Sequence, residues 1–159
     1  MREVPAKRLS KKALPVWRIT GLLESLFYLV LPLAYAGLSF FFDWPFWILY
    51  PVMLLWILIA ILKSLVIPAV RWRRWRYEVH DEEIDFQYGV FIIRRTLVPM
   101  NRVQHVDTEQ GPIYRHYKLS AVSISTAATI HQIPALTEEV ASDLRDQIAV
   151  LAQTADEDD

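Results

Sequence analysis

The residues best suited by type to acid–base or metal chemistry are four histidines, His80, His105, His116 and His131, and an acidic run, Asp81-Glu82-Glu83. Their spacing does not assemble that chemistry. No two histidines stand four apart and no HExxH occurs, so no helix face offers a paired-histidine metal site. Consecutive carboxylates in a turn diverge into water instead of converging on a substrate. The chain has no cysteine, which removes thiolate ligands, iron–sulfur clusters, disulfides and a cysteine nucleophile. GxSxG, GK[ST] and GxGxxG are likewise missing, so serine hydrolysis and nucleotide binding have no motif behind them. The expectation is a non-enzymatic chain with no catalytic residue, metal or cofactor and no evident small-molecule substrate.

The remaining charged residues are sorted along the sequence. The net charge of −1 over 159 residues conceals +5 in residues 1–18, −1 in 19–70, +4 in the run RWRRWR at 71–76 and −9 in 77–159. Ile19 to Phe42 and Trp44 to Val70 each contain a single charge, Glu24 and Lys63. About 20 apolar residues cross a hydrocarbon core of roughly 30 Å, so each stretch is long enough to span it. A short connection around Asp43-Trp44-Pro45 then makes a membrane hairpin. A secretory signal fits poorly, because the first apolar run is too long and a second follows at once. Pro32 and Pro51 are tolerable inside membrane helices, and Pro68 reads as the exit of the second span.

Both outer flanks are basic and the turn carries no Lys or Arg, so the positive-inside rule puts both termini in the cytoplasm, with two crossings between them. Arg71, Arg73, Arg74 and Arg76, interleaved with Trp72 and Trp75, read as a membrane-surface belt. Anionic headgroups attract such residues by about 1 kcal/mol each near the surface. Nucleic acid is discounted as a partner, because the acidic remainder would repel a polyanion. Glu24 and Lys63 are equidistant from the turn, which puts them at one depth in an antiparallel hairpin. There they form a candidate intramembrane pair, against the simpler reading that each snorkels separately.

After Arg76 the apolar period falls from helical to two. Ile84-Asp85-Phe86-Gln87-Tyr88 alternates, Gly89 breaks the pattern, and Val90 to Val98 is rich in β-formers before Pro99 ends the run, which reads as a hairpin with one buried face. Val103 to Glu109 reads as a strand with a bulge, Ala121 to Thr126 as another and Ile130 to Ala135 as a last. Thr137 is a helix N-cap, and Val140, Leu144, Ile148 and Leu151 form the apolar stripe of a closing helix. The boundaries are a basic N-terminal segment 1–18, a hairpin 19–70, a juxtamembrane run 71–76, a β-rich domain 77–153 and a solvated acidic tail 154–159. Arg94, Arg95, Arg102, Arg115 and Lys118 cluster in sequence and form a candidate headgroup or partner face. The net −9 of the domain favours a scatter of solvated charges instead.

Two helices, the basic run, the strands around Tyr88-Gly89-Val90, the stretch Val98-Pro99-Met100-Asn101-Arg102-Val103-Gln104-His105-Val106 and the segment from Arg115 to Ala127 resemble the bacterial pleckstrin-homology-like (PH-like) family. The likeness is to its small membrane-anchored YdbS type and covers nearly the whole chain. Arg102-Val103, Gln110, Arg115 and Thr126-Ala127 match the pattern, whereas Tyr117-Lys118-Leu119 and Ala128 stand where it often has Gly. The resemblance implies a seven-stranded, strongly bent, barrel-like sheet capped by a C-terminal helix. It also implies a binding or assembly role, in an envelope-stress or maintenance setting. The expected function is a membrane-anchored scaffold that associates with a second copy or a related membrane protein. The alternatives are an anionic-lipid-headgroup module and an accessory subunit of a transporter or membrane enzyme.

Overall fold

The computed structural model describes residues 4–157. Arg2 and Glu3 of the N-terminal segment and Asp158 and Asp159 of the tail lie outside the described residues. The chain divides into a helical unit, residues 14–70, and a β unit made of the segment up to Ala13 together with everything from Arg71 onward.

In the helical unit, α1 (Ala13–Tyr28) and α2 (Val30–Phe42) are separated by the single residue Leu29. The cause is local. Pro32 has no N–H to offer the Tyr28 carbonyl, and the Leu29 N–H donates to Leu26 at 3.1 Å. Asp43, in the left-handed region at φ 52°, ends α2. A 3₁₀ turn (Phe46–Ile48) leads into α3 (Leu49–Ile61). Pro68 does not end the second helix. A π-turn (Leu62–Val66) lies immediately before α4 (Ile67–Arg74), and helix continues to Arg74. A wide turn of this kind resets the hydrogen-bond ladder where Pro68 cannot donate. Phe27, Phe40, Phe41, Tyr50 and Leu54 are among many large apolar side chains that stay exposed along these helices, as lipid-facing surfaces require.

The β unit holds two antiparallel sheets. One runs in the order β1 (Lys7–Arg8), β2 (Arg76–Val79), β3 (Glu83–Tyr88), β4 (Arg94–Pro99), and the other β5 (Val103–Glu109), β6 (Leu119–Thr126), β7 (Ile130–Thr137). Among the described residues that makes seven strands, the number implied by the resemblance, but divided between a four-stranded and a three-stranded sheet instead of forming one. The first strand comes from the N-terminal basic segment, where Lys7 pairs with Tyr77 and Arg8 with Arg76. The expected bulge in β5 is present as a register shift between Val103 and His105. The short helix α5 (Pro112–His116) connects β5 to β6 and ends through Lys118, whose φ of 53° is the conformation a glycine adopts without strain. The turn therefore keeps glycine-like geometry without the glycine.

The closing helix α6 (Glu138–Glu157) starts at Thr137, whose Oγ1 accepts the Val140 N–H. Its buried stripe is Ala141, Leu144, Ile148 and Ala152, whereas Val140 is exposed. The stripe is thus rotated from the one expected, with the small Ala141 and Ala152 buried in place of Val140 and Leu151. The helix also runs to Glu157 through residues expected in a solvated tail. The core it closes includes Ile84, Phe86, Val98, Met100, Leu119, Val122, Ile124 and Ile133.

Tyr77 of β2 is buried in this unit, and burial raises its phenol above the ordinary value. A group whose folded pKa is raised contributes stability that is present below its unfolded value, near 10, and is lost as pH climbs through the folded one. Tyr77→Phe should therefore flatten the alkaline loss of β-unit stability above about pH 10, read as melting temperature against pH. An unchanged profile would place the titrating group elsewhere.

Candidate membrane-anchoring and interaction sites

The hairpin is fastened where the break at Leu29 leaves polar groups to be satisfied. With the Leu29 N–H turned to Leu26, the Ser25 carbonyl receives the Trp56 indole N–H at 2.8 Å. One turn earlier, the Gly21 backbone lies directly against the Lys63 and Ser64 backbone. A Cβ at Gly21 would collide with the Lys63 carbonyl oxygen and stand 2.8 Å from the carbonyl carbon. That close approach brings Lys63 Nζ to 2.9 Å from Glu24 Oε2 and to 4.7 Å from the centre of the Tyr28 ring. A cation over an aromatic face adds attraction to the ion pair. Tyr35 O–H donates to the Pro45 carbonyl at 3.0 Å near the turn.

The pair has a double-mutant signature. Glu24→Gln or Lys63→Met alone should loosen the hairpin more than the exchange of the two residues, read as thermal stability of the full chain in detergent. Equal losses in all three variants would mean that the two charges do not support each other.

The six membrane-surface residues separate into different environments. Trp75 is only 5% exposed and belongs to the β-unit core, its ring 6.3 Å from Tyr88 in a stacked arrangement and 6.5 Å from Phe86. A tryptophan within a basic run beside a span reads as an interface anchor, but Arg76 already begins β2 and turns Trp75 inward. Trp72 is half-buried and donates its indole N–H to the Ser10 carbonyl at 3.0 Å, which ties the N-terminal segment to α4. Arg71 and Arg73 are exposed, Arg74 and Arg76 are half-buried, and Arg74 donates to the Val90 carbonyl.

The five basic residues of the candidate headgroup or partner face come from different elements: Arg94 and Arg95 from β4, Arg102 from the 3₁₀ turn after it, and Arg115 and Lys118 from α5 and its end. Arg95 is committed to Asp85: Nε lies 3.1 and 3.0 Å from the two carboxylate oxygens, and Nη2 lies 2.5 Å from Oδ2. Asp85 is 2% exposed, and this carboxylate holds the Arg95 guanidinium above its ordinary value. Arg95 therefore stays charged throughout the physiological range. Removing it leaves a buried carboxylate without its counter-charge. Arg95→Ala should accordingly lower β-unit stability, whereas Arg94→Ala, its exposed neighbour, should leave it nearly unchanged. Equal melting temperatures for the two variants would refute the distinction.

Arg102 lines a cavity of about 450 Å³ with Asn101, Gln104, Thr126, Thr129 and His131. A second cavity, of about 230 Å³, lies against Arg71, Trp75, Phe86, Tyr88 and His131. Neither cavity gathers Arg94, Arg115 or Lys118, which are all exposed. Gln110, one of the residues carrying the resemblance, instead joins elements: its side-chain amide donates to the Leu119 carbonyl at 2.9 Å and to Glu138 Oε1 at 2.6 Å. No group of three or more His, Cys, Asp or Glu is placed to hold a metal among the described residues.

Two long apolar helices followed by a pair of antiparallel sheets and a closing helix define a membrane-anchored protein carrying a PH-type β domain. The family model for the bacterial PH domain matches residues 25–152, so the chain belongs to that family. The match begins within α1, so the family pattern includes part of the hairpin as well as the sheets. Over 158 residues, 99% of both chains, the sequence is 49% identical to the UPF0699 transmembrane protein YdbS of Bacillus subtilis (strain 168). It is 29% identical over 58 residues to the UPF0699 transmembrane protein YdbT of the same organism, covering 36% of this chain and 12% of that one. No solved structure matches the chain. The chain is a membrane protein with a bacterial PH domain.

Proposed function

We propose that the protein is a non-enzymatic, membrane-anchored interaction module that crosses the bilayer twice and keeps both termini in the cytoplasm. Its PH domain would assemble with a second copy or with a related membrane protein. Support for two crossings comes from β1: the segment before the first span pairs with β2 after the second, and strands of one sheet lie on one side of a membrane. The arginine and lysine excess on that side makes it the cytoplasmic one.

The observation that carries the assembly reading is the open edge of β5. Among the described residues Val103–Glu109 pairs only with β6 in its sheet, and five of its seven residues are exposed. A terminal strand of this length has no strand partner on one side, a place a further strand can take. The matched segment in YdbT shows that a related sequence occurs within a larger membrane protein, and this makes a hetero-complex a natural form of the same association. A protective role in the cell envelope is the setting this reading favours.

Because the chain lacks cysteine, a single Thr108→Cys on that edge gives an unambiguous crosslinking site. A bifunctional maleimide in native membranes is expected to trap a covalent dimer or a hetero-adduct at Thr108 and not at Ala128→Cys. A protein that is monomeric in mild detergent and trapped in no adduct would overturn the assembly reading. The headgroup alternative retains one feature, the Arg102 cavity. Arg102→Ala should weaken binding to anionic vesicles if that reading holds.

A further inference from the structure

The connection between β3 and β4 is apolar where a β-hairpin loop is ordinarily polar. Phe91, Ile92 and Ile93 are 86%, 72% and 54% exposed, three consecutive large hydrophobic side chains presented to solvent. Their display is built into the backbone. Gly89, at φ +132°, folds the loop so tightly that a Cβ there would meet the Ile92 carbonyl oxygen, so no other residue takes that position without strain. Below the tip, Tyr88 pairs with Arg94, an exposed cation, and Arg74 donates to the Val90 carbonyl. The tip therefore stands above a basic collar.

Arg74 is the last residue of α4, and its bond to the Val90 carbonyl ties the loop to that helix end. Exposed apolar side chains beside cationic groups suit a bilayer interface, into which such groups bury about 5–10 Å.

We infer that the Phe91–Ile93 loop is a second membrane anchor, inserting its apolar tip into the leaflet beside the spans, with Arg74 and Arg94 at the phosphates. The occupant of this surface is the anionic bilayer that the chain itself crosses. The sign of the collar matches an anionic leaflet, and the chain itself carries two helices long and apolar enough to cross one. The consequence is that the PH domain is held in a fixed orientation against the membrane, which leaves fewer of its edges available to partners. This inference rests on the two crossings and is independent of the assembly reading.

The test uses the full chain in vesicles of phosphatidylglycerol and phosphatidylethanolamine, with a polarity-sensitive fluorophore on single cysteines at Phe91, at Ile92, at Ala128 as an aqueous control and at Phe40 as a span control. Phe91→Cys and Ile92→Cys should show blue-shifted emission, quenching by brominated acyl chains and protection from aqueous iodide. Ala128→Cys should show the reverse. Iodide-sensitive emission at both loop positions, with Phe40→Cys still quenched by brominated lipid, would overturn the anchor while leaving the crossings intact. A blue shift without brominated-lipid quenching would also overturn it, because the loop would then be covered by protein.

Discussion

Replacing Gly21 with Leu should separate the two membrane helices at their closest point, and Gly21→Ala should do so to a smaller degree. The space beside Gly21 is filled by backbone, not by side chain: the Lys63 carbonyl blocks the Cβ position and Ser64 Cα is 3.3 Å from it. Backbone cannot rotate aside as a side-chain terminus can, so the helices must move. Overpacking of this kind typically costs about 1–3 kcal/mol. In lipid no hydrophobic force between helices offsets it, since lipid tails are as apolar as the side chains. The displacement would also lengthen Glu24–Lys63 and Trp56–Ser25, at 2.9 and 2.8 Å, so one substitution weakens three contacts. Hydrogen exchange of the Leu62–Val66 amides in detergent or nanodiscs should become faster in the order parent, Ala, Leu. Parent-like protection in Gly21→Leu would show that the crossing is not tight.

Phe86→Ala should be the most damaging single truncation in the β unit. The ring is 2% exposed, stacks at 5.6 Å on His131 of the other sheet and meets Trp75 edge-on at 6.5 Å. It therefore joins β3, β7 and the segment that follows α4. Removing a buried Phe side chain costs about 3–5 kcal/mol, a large part of the 5–15 kcal/mol that ordinarily holds a domain together. The melting temperature of the β unit should fall by roughly 12 °C or more, and limited proteolysis should cut it under conditions where the parent is intact. Phe91→Ala, at a ring that touches little, should change neither.

That contrast shows what the sequence disclosed and what it withheld. Both apolar stretches were legible from their unbroken length, and the strands around Phe86 and Ile124 and the closing helix because each follows a single periodicity over several residues; the strand around Val106 was legible only as an interrupted alternation. β1 was not, because Lys7-Arg8 is a two-residue strand with no alternation, defined only by the partner it meets. Asp85 alternates with Ile84 and Phe86 and so reads as solvent-facing, yet it is buried because Arg95, ten residues on, covers it. Trp75 reads as an interfacial residue from its neighbours in sequence and becomes core through the direction in which β2 leaves α4. Gly21 offered one usable signal, its place four residues before Ser25, the small-xxx-small spacing that marks close helix packing in membranes. Phe91-Ile92-Ile93 had the composition of a strand, and only the turn at Gly89 moves them out of the sheet and into solvent.

The proposed arrangement has two crossings and a PH domain on the cytoplasmic side, and the absence of cysteine allows a direct test. Asp43→Cys and Ala128→Cys, each the sole thiol in its chain, would be exposed to a membrane-impermeant maleimide in intact cells. Labelling of Asp43→Cys without permeabilisation, and of Ala128→Cys only after it, is the expected result. Labelling of Ala128→Cys in intact cells, or of neither site until the membrane is opened, would contradict the arrangement.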